Sequence, residues 1–556
     1  MKTVIIGGVA GGASAAARLR RLDESAEIIV LERGGYVSFA NCGLPYYIGN
    51  VITDQNNLTL QTPESFRARF NIDVRVNSEV LKIAPDAKTV LIKDLQSGSR
   101  YTESYDNLIL SPGAEPIRPN LNGINSDLVF TLRNIPDTLK IKQYIESTMP
   151  KSAVVVGGGY IGVEMAENLK EAGLEVSIVE LADHLIASLD FDMASDVHRY
   201  IKSKGINLYL NNGVKAIDGQ TVILQNGEIH ADMVIMSVGV HPETAFAHEC
   251  GIKTNRRGSI IVDRNMKTNI PHIYAVGDAV EVEDFVTKSP AFIPLAGPAN
   301  KQGRIAADNI AGIPSEYNGT QGSAVLKLFD MTIATTGINE KSARAAGIDY
   351  DKTYIYSGSH ASYYPGANNM SIKALWDKKT LKILGAQIVG FDGVDKRMDV
   401  LATAIRFGAK ITDLTELELC YAPPFGSAKD PINMLGFVAE NVIAGKIKQF
   451  FWNDVKGLPR DGSVTFLDVR TPIEVRRGKI DGFINIPLDS LREHISEIPK
   501  NKLVYVYCHS GLRSYIACRI LMGSGYECFN LAGGWRLYES VIHEKAVPEY
   551  ICTECK

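Results

Sequence analysis

Cysteine is scarce in this sequence, with 8 residues in a chain of 556. The spacing of these cysteines does not resemble the disulfide frameworks that stabilise small secreted domains. The scarcity favours a reducing compartment, the cytoplasm, in which a reactive cysteine serves chemistry rather than cross-linking.

The sequence also lacks an excess of basic residues and a long apolar run. Lys and Arg total 59 against 63 Asp and Glu, for a net charge of −4, which argues against a nucleic-acid-binding protein. No uninterrupted stretch of about 18 apolar residues occurs, and the glycine-interrupted start lacks an export cleavage pattern, so neither a membrane span nor a signal peptide is predicted. With 45% hydrophobic and 22% charged residues, the composition is globular, and the length predicts about three to four domains.

Two strand–turn–helix segments stand out, and their turns begin 150 residues apart. The first turn follows the β-branched strand Thr3–Ile6 and precedes an Ala-rich helix that runs to Leu22. The second follows the strand Ala153–Val156 and precedes a helix predicted over Val163–Ala172. The turns consist of Gly7, Gly8, Val9, Ala10, Gly11 and Gly12 in the first segment, and of Gly157, Gly158, Gly159, Tyr160, Ile161 and Gly162 in the second.

Each segment continues into a second strand that ends on a glutamate. Glu32 follows Glu27–Leu31 and Glu180 follows Glu175–Val179, 25 and 23 residues after the first glycine of the respective turn. Glycines let the backbone approach a pyrophosphate at a helix N-terminus, and the carboxylate accepts hydrogen bonds from ribose hydroxyls. We therefore predict two dinucleotide sites, for a flavin and for the nicotinamide that reduces it. Glu180 would repel a 2′-phosphate, which favours NADH over NADPH.

Cys42 lies shortly after the first site, where a helix beginning near Gly43 would stabilise a thiolate. A buried structural thiol is the alternative. No second cysteine follows within the next several residues, so an internal redox disulfide cannot form here. Because a flavin delivers two electrons, the partner sulfur must come from a substrate thiol, as a mixed disulfide, or the Cys42 sulfur must become a sulfenic acid.

Further motifs make the chain similar to a known family. They are Leu110–Ala114, Ser237–Pro242, Ile273–Ala279 and the segment around Cys42. On these motifs, about the first 445 residues resemble the single-cysteine branch of the FAD-dependent pyridine nucleotide-disulfide oxidoreductases, most closely the coenzyme A-disulfide and NADH-dependent persulfide reductases. The oxidase and peroxidase relatives carry a histidine where this chain has Ala10, which favours disulfide chemistry.

The resemblance implies which residues bind FAD, NADH and coenzyme A. Ser38 and Asn41 would flank the bound thiol, and Asp278 would bind the ribityl chain of the flavin. Arg18 and Arg21 would contact coenzyme A phosphates, with an ordinary solvated helix face as the alternative. Beyond the two turns, the predicted cofactor-binding residues are Glu32, Arg33, Ser111, Pro112, Gly113, Gly277 and Asp278 for FAD, and Glu180 and Gly239 for NADH.

The β-rich stretch over 319–448 resembles the dimerisation domain of the family, so a homodimer is expected. Its signatures are Ser359–Gly366 and Tyr421–Pro431. The resemblance implies that Tyr363 and Tyr421 reach the cysteine of the partner subunit, where a phenol could donate a proton to a thiolate. Tyr364 is the alternative to Tyr363, and packing within a proline-rich loop is the alternative role.

The C-terminal stretch resembles a single rhodanese domain. Cys508 lies between an apolar strand and a helix, in a loop whose backbone N–H groups would surround the sulfur and lower the pKa of its thiol. Arg513 adds positive charge, and the four residues that separate it from Cys508 make a loop that goes with sulfur transfer in this superfamily. Cys552 and Cys555 in the tail could relay sulfur or supply half of a zinc site, and no complete metal site is predicted.

The predicted fold class is α/β, with two Rossmann-like nucleotide-binding domains, an α+β dimerisation domain and a C-terminal α/β rhodanese domain. The predicted boundaries are 1–148 and 266–318 for the FAD-binding domain, 149–265 for the NAD-binding domain, 319–448 for the dimerisation domain, 449–462 for a linker, 463–545 for the rhodanese domain and 546–556 for the tail.

The predicted function is the NADH-dependent reduction of coenzyme A persulfide, polysulfide and coenzyme A disulfide through a mixed disulfide on Cys42, with NADPH as the alternative donor. Cys508 would take up sulfane sulfur as a persulfide and pass it to coenzyme A. The alternatives are a simple coenzyme A-disulfide reductase with an auxiliary rhodanese domain, an NADH oxidase or peroxidase, and a non-enzymatic sulfur carrier or redox sensor.

Overall fold

The computed structural model describes residues 1–546, so the predicted Cys552 and Cys555 tail lies outside the described residues. The chain divides into two compact units. The first contains Met1–Leu181 and Ile206–Gly322, and the second contains Ala182–Gly205 and the chain from Ser323 onwards. No helix within residues 1–546 is both long enough and apolar enough to cross a bilayer.

Two parallel sheets form the centre of the first unit. One has the strand order Ile273–Ala275, Asn107–Leu110, Lys2–Ile6, Glu27–Leu31 and Asp73–Arg75. The other has the order Asn207–Tyr209, Glu175–Val179, Ser152–Val156, Met233–Met236 and Val129–Phe130. The central strands are Val- and Ile-rich and almost wholly buried, as parallel strands covered on both faces require.

Smaller sheets flank these two. Their antiparallel ribbons are Ser78–Ala84, Thr89–Asp94 and Arg100–Ser104; Val214–Asp218, Thr221–Leu224 and Glu228–His230; and Ala114–Pro116 with Val240–Pro242. A mixed sheet joins Ile260–Ile261, Val280–Glu283 and Pro290–Ala291.

The helices up to Ile310 are numbered in chain order; Phe191–Ser203 belongs to the second unit and the others to the first. They are α1 (Ala10–Leu22), α2 (Leu44–Ile48), α3 (Pro63–Phe70), α4 (Ile135–Thr148), α5 (Tyr160–Glu171), α6 (Phe191–Ser203), α7 (Ala245–Glu249) and α8 (Ala296–Ile310). Helix α5 begins three residues before the predicted Val163, because Gly159 is extended and acts as its N-cap. Helix α6 interrupts the second parallel sheet in sequence but belongs to the second unit.

The dimerisation-like part of the second unit is an antiparallel sheet. Its strand order is Ala324–Leu328, Met331–Gly337, Ile383–Gly390, Asn369–Asp377 and Tyr350–Gly358. The accompanying helices are α9 (Glu340–Ala345), α10 (Val394–Arg406) and α11 (Pro431–Ile443).

The C-terminal part of the second unit is a parallel sheet with helices. Its strand order is Lys448–Phe450, Cys528–Leu531, Val504–Tyr507, Thr465–Asp468 and Ile484–Asn485. Its helices are α12 (Pro472–Arg476), α13 (Leu512–Gly523) and α14 (Gly534–Ala546). The start of the predicted linker at residue 449 is therefore an edge strand of this sheet, paired with a strand about 80 residues later in the chain.

A buried charged network ties α6 to the rest of the second unit. The Lys373 ammonium lies 2.7 Å from Asp190, 2.9 Å from Asp192 and 2.6 Å from Glu340. The indole N–H of Trp452 donates to Asp192 at 3.1 Å. Because Trp452 follows the edge strand Lys448–Phe450 of the C-terminal sheet, one network connects α6, the antiparallel sheet and the C-terminal part.

Candidate active sites

The first glycine-rich turn is shaped for close backbone approach. Gly7 has a φ of +92°, and a Cβ there would lie 2.0 Å from the carbonyl oxygen of Ser111. The turn leads directly into the N-terminus of α1. Glu32 accepts hydrogen bonds from Gly8 N–H at 2.9 Å and Gly34 N–H at 2.8 Å, which fixes its carboxylate beside the turn, and burial raises the pKa of this carboxyl.

The other predicted flavin residues gather around this turn. Ser111 donates its N–H to Ile6 at 2.7 Å, and Pro112 accepts from Arg133 at 3.2 Å. Asp278 lies in the 3₁₀ turn Gly277–Ala279, where burial raises the pKa of its carboxyl. A helix N-terminus, a glycine cradle and a carboxylate at the strand end are the groups that bind a dinucleotide. The residues present therefore fit FAD.

The predicted Arg33 contact has a protein partner. Arg33 and Arg133 both form ion pairs with Glu243, the latter at 2.6 Å. The structure thus places Arg33 beside the first site, with its guanidinium paired.

The second glycine-rich turn repeats the geometry of the first. Gly157 has a φ of +104°, and a Cβ on Gly162 would lie 1.9 Å from the carbonyl oxygen of Gly157. Glu180 accepts the Gly158 N–H at 2.6 Å, whereas Ile161 is exposed at the start of α5. Gly239 follows the strand Met233–Met236 with a φ of +113°. These residues fit a nicotinamide dinucleotide.

Cys42 lies in the 3₁₀ turn Asn41–Gly43, directly before α2, and is a free thiol. The residue is exposed, yet protein around its sulfur removes part of its hydration. This burial, together with the charges of Glu164 and Asp278, raises the pKa of the Cys42 thiol. Burial is the largest cause of this raised pKa. Helix α2, which follows Cys42, has five residues, and the stabilisation of a thiolate by this helix stays a prediction.

Glu164 is a functional candidate that the sequence analysis missed. It lies on α5, and the Tyr46 hydroxyl approaches its carboxylate at 3.4 Å. Burial raises the pKa of Glu164 to about 7, and the pKa of Tyr46 is raised as well. The only signal in the sequence was its position after the second glycine turn, which does not reveal that α5 lies beside Cys42.

A surface cavity of about 390 Å³ brings together three of the four predicted coenzyme A residues, Arg18, Arg21 and Ser38. Asn41 is not part of its lining and is exposed beside Cys42. Arg304 and Asn300 from α8 also line the cavity and were not predicted. Arg18 uses its Nε to reach Asp308 at 2.7 Å.

The two predicted tyrosines meet in the second unit. The Tyr363 and Tyr421 hydroxyls are 2.8 Å apart, and the residues are 73% and 47% exposed. This hydrogen bond raises the pKa of Tyr363. The buried Arg397 donates to the carbonyls of Ser359 and Phe425 at 2.9 and 3.4 Å, which fixes both tyrosine-bearing loops to one side chain.

Cys508 is fully buried at the end of the strand Val504–Tyr507. Its sulfur accepts hydrogen bonds from the Gly511 N–H at 3.1 Å and the Ser514 hydroxyl at 3.2 Å. Arg513, which was predicted to add positive charge at this loop, binds Glu474 with both ends of its guanidinium, at 2.8 and 2.5 Å.

Comparison with known proteins agrees with this arrangement. Residues 1–303 match the pyridine nucleotide-disulphide oxidoreductase model, 323–430 its dimerisation domain and 452–540 the rhodanese-like domain. The chain belongs to the pyridine nucleotide-disulphide oxidoreductases. It is thus an oxidoreductase that uses FAD and NAD(P)H, and the predicted α/β class with a C-terminal rhodanese domain is confirmed.

Individual members of the family are similar over most of the chain. Coenzyme A disulfide reductase of Staphylococcus epidermidis is 38% identical over 79% of this chain and 100% of its own length. The reduced Bacillus anthracis CoADR-RHD structure is 50% identical, covers 98% of both chains and has a TM-score of 0.96. An NAD-dependent persulfide reductase from A. fulgidus is 37% identical, with a TM-score of 0.91 and coverage of 97% of this chain and 100% of its own.

Proposed function

We propose that this oxidoreductase reduces coenzyme A disulfide and coenzyme A persulfide through a mixed disulfide on Cys42. The observation that carries the proposal is the free Cys42 thiol beside the Asp278 turn of the flavin site. The similar proteins named coenzyme A disulfide reductase and persulfide reductase support it. FAD, when bound, supplies the electron pair that originates from NAD(P)H.

Cys42 begins the reaction as a thiolate. It attacks one sulfur of coenzyme A disulfide, so that a Cys42–coenzyme A disulfide forms and one coenzyme A thiolate leaves. With coenzyme A persulfide, attack at the inner sulfur gives the same mixed disulfide and releases hydrosulfide. Two electrons then cleave the mixed disulfide to the Cys42 and coenzyme A thiolates.

The cavity lined by Arg18, Arg21 and Ser38 is proposed as the coenzyme A site. Guanidinium groups suit phosphates because their planar donors bind oxygens in pairs. Arg304 provides a further cation in the same cavity. Ser38 is only four residues before Cys42, so the cavity and the thiol are linked by a short segment.

The protein is proposed to act as a homodimer in which Tyr363 and Tyr421 serve the Cys42 of the partner subunit. Their mutual hydrogen bond leaves one hydroxyl proton to donate to a leaving thiolate. The exposure of both phenols and the match to the dimerisation domain support this role. NADH is proposed as the donor, because the carboxylate of Glu180, which lies beside the second glycine turn, would repel a 2′-phosphate.

Cys508 is proposed to feed the reductase with sulfane sulfur. Its thiolate attacks the outer sulfur of a persulfide, becomes Cys508 persulfide and releases the donor thiolate; a coenzyme A thiolate then removes that sulfur as coenzyme A persulfide. The two hydrogen bonds on the Cys508 sulfur support a reactive role. Free thiols at Cys42 and Cys508 are consistent with a cytoplasmic location.

Replacing Cys42 tests the proposal. Cys42→Ser is expected to lose more than 99% of NADH oxidation with coenzyme A disulfide, whereas Cys250→Ser, at another free thiol, retains it. Turnover by Cys42→Ser at the unaltered rate would contradict the proposal. Equal NADH oxidation with oxygen alone would favour an oxidase instead.

A further inference from the structure

We propose that Glu474 sets the donor specificity of the Cys508 site: by holding Arg513, it disfavours sulfonate-bearing donors such as thiosulfate and leaves the site to organic persulfides. This inference rests on the proposed sulfur transfer by Cys508. It concerns the chemistry of the group that leaves when the sulfane sulfur moves to the protein.

The carboxylate of Glu474 occupies both ends of the Arg513 fork. The distances from Nη1 to Oε2 and from Nη2 to Oε1 are 2.8 and 2.5 Å. Such two-point pairing satisfies the planar donors that would otherwise bind an oxyanion. Arg513 also lowers the pKa of Glu474 to about 2, so the carboxylate remains charged at neutral pH.

Glu474 is itself held in place by the start of α12. Thr471 donates its backbone N–H to Glu474 at 3.0 Å and its hydroxyl at 2.9 Å. In return, the Thr471 hydroxyl caps the N–H of Glu474. The carboxylate that pairs with Arg513 is therefore fixed by its own capping box, and a donor molecule would have to displace an oriented group.

The other arginines whose charges act on His509, next to Cys508, are also engaged. Arg470 is buried and binds Asp468 at 2.8 Å. The Arg536 guanidinium lies 4.3 Å from the centre of the Tyr356 ring. Arg470 is thus paired with a carboxylate, and Arg536 contacts an aromatic ring.

The two classes of donor differ in the charge that must be accommodated. Thiosulfate transfers its outer sulfur to the Cys508 thiolate and releases sulfite, a dianion whose oxygens need compensating cations. An organic persulfide gives the same Cys508 persulfide but releases a monoanionic thiolate. The Gly511 and Ser514 donors are aimed at one sulfur, that of Cys508, which suits the second reaction.

The test measures persulfide formation on Cys508 of the full chain by mass spectrometry, with thiosulfate or a small alkyl persulfide as donor. Glu474→Gln is expected to raise the thiosulfate-to-persulfide rate ratio at least tenfold. Adding Arg513→Met should abolish that gain. Glu497→Gln is the control, because Glu497 pairs with His494 elsewhere in the same domain. Should Glu474→Gln misfold, Thr471→Ala is expected to raise the ratio at least twofold.

The outcomes separate this inference from the proposed function. An unchanged ratio in the folded Glu474 variant, or equal rates with both donors in the unaltered protein, would overturn the role of Glu474 while leaving sulfur transfer intact. Failure of Cys508 to take sulfur from either donor would overturn the proposed relay, and the inference with it.

Discussion

At the residue scale, burial is the largest cause of the raised pKa of the Cys42 thiol, and two neighbouring carboxylates add to it. Glu164 and Asp278 both raise the pKa of the thiol, and Glu164 itself titrates at a pKa of about 7. The thiol therefore meets its full repulsion from Glu164 only above that pH. A substrate or proton that neutralises Glu164 would make the thiolate easier to form.

Replacing Glu164 by glutamine should lower the pKa of the Cys42 thiol, because the amide carries no charge. The pH dependence of iodoacetamide labelling at Cys42, quantified by mass spectrometry, measures this pKa. The labelling rates of Glu164→Gln and the unaltered protein should differ above about pH 7. They should agree below that pH, where Glu164 is protonated in the unaltered protein. Glu171→Gln, at an exposed position on the same helix, should leave the labelling profile unaltered. An identical profile in both variants would refute a role for Glu164.

Ser514 should contribute to sulfur transfer through its hydrogen bond to Cys508. Such a bond is worth about 0.5–1.5 kcal/mol, so Ser514→Ala is expected to slow Cys508 persulfide formation by roughly 2- to 10-fold. Ser510→Ala, in the same loop, is the matched control. Equal slowing in both variants would show a general disturbance of the loop instead.

At the element scale, Arg397 on α10 joins the two loops that carry Tyr363 and Tyr421. It is almost fully buried and forms an ion pair with Asp430 at 2.9 Å. The Ala361 N–H also donates to Gly426 at 2.9 Å, which links the same loops directly. The tyrosine pair therefore depends on one buried arginine and one backbone bridge.

Arg397→Met should destabilise the protein because it leaves the Asp430 charge buried without its partner. Loss of one member of a buried ion pair costs about 3–5 kcal/mol, measurable as a lower denaturation midpoint in urea. Arg406→Met, on the same helix, provides a comparison. An unaltered midpoint for Arg397→Met would contradict the structural role of this residue.

Sequence reasoning predicted regular elements well where the pattern is local. The strands Glu27–Leu31 and Glu175–Val179 and the end of α1 at Leu22 match the structure, because a short apolar run that follows a helix and is bounded by polar residues is a local signal. The strand Lys448–Phe450 was not predicted from the sequence, because its pairing partner is the distant strand Cys528–Leu531. A strand defined by a remote partner leaves no local signal.

At the scale of the whole molecule, α6 connects two parts of the second unit. Its Ser195 hydroxyl lies 2.9 Å from that of Ser540 on α14, and Lys202 binds Glu544 at 2.7 Å. The predicted NAD-binding domain, 149–265, includes the residues of α6, which lie in sequence between two strands of that sheet. Its packing partners, like the position of Glu164 beside Cys42, depend on tertiary contacts that periodicity does not report.

Glu544 should stabilise this packing in a pH-dependent manner. Its neighbours His198 and Lys202 lower the pKa of Glu544 to about 2, while burial lowers the pKa of His198. A depressed carboxyl pKa contributes stability above about pH 4.5 and loses it as the pH falls towards 2. Glu544→Gln should therefore lower the thermal midpoint at pH 7, and the gap to the unaltered protein should narrow at pH 3. A gap that stays constant between these pH values would contradict the prediction.

The most direct test of the account is the mass of Cys42 after mixing with coenzyme A disulfide in the absence of NADH. We expect a coenzyme A adduct on Cys42, the release of about one coenzyme A per subunit, and no adduct in Cys42→Ser. A disulfide between Cys42 and another cysteine of the chain, or an unmodified Cys42 in protein that reduces the disulfide once NADH is added, would contradict it.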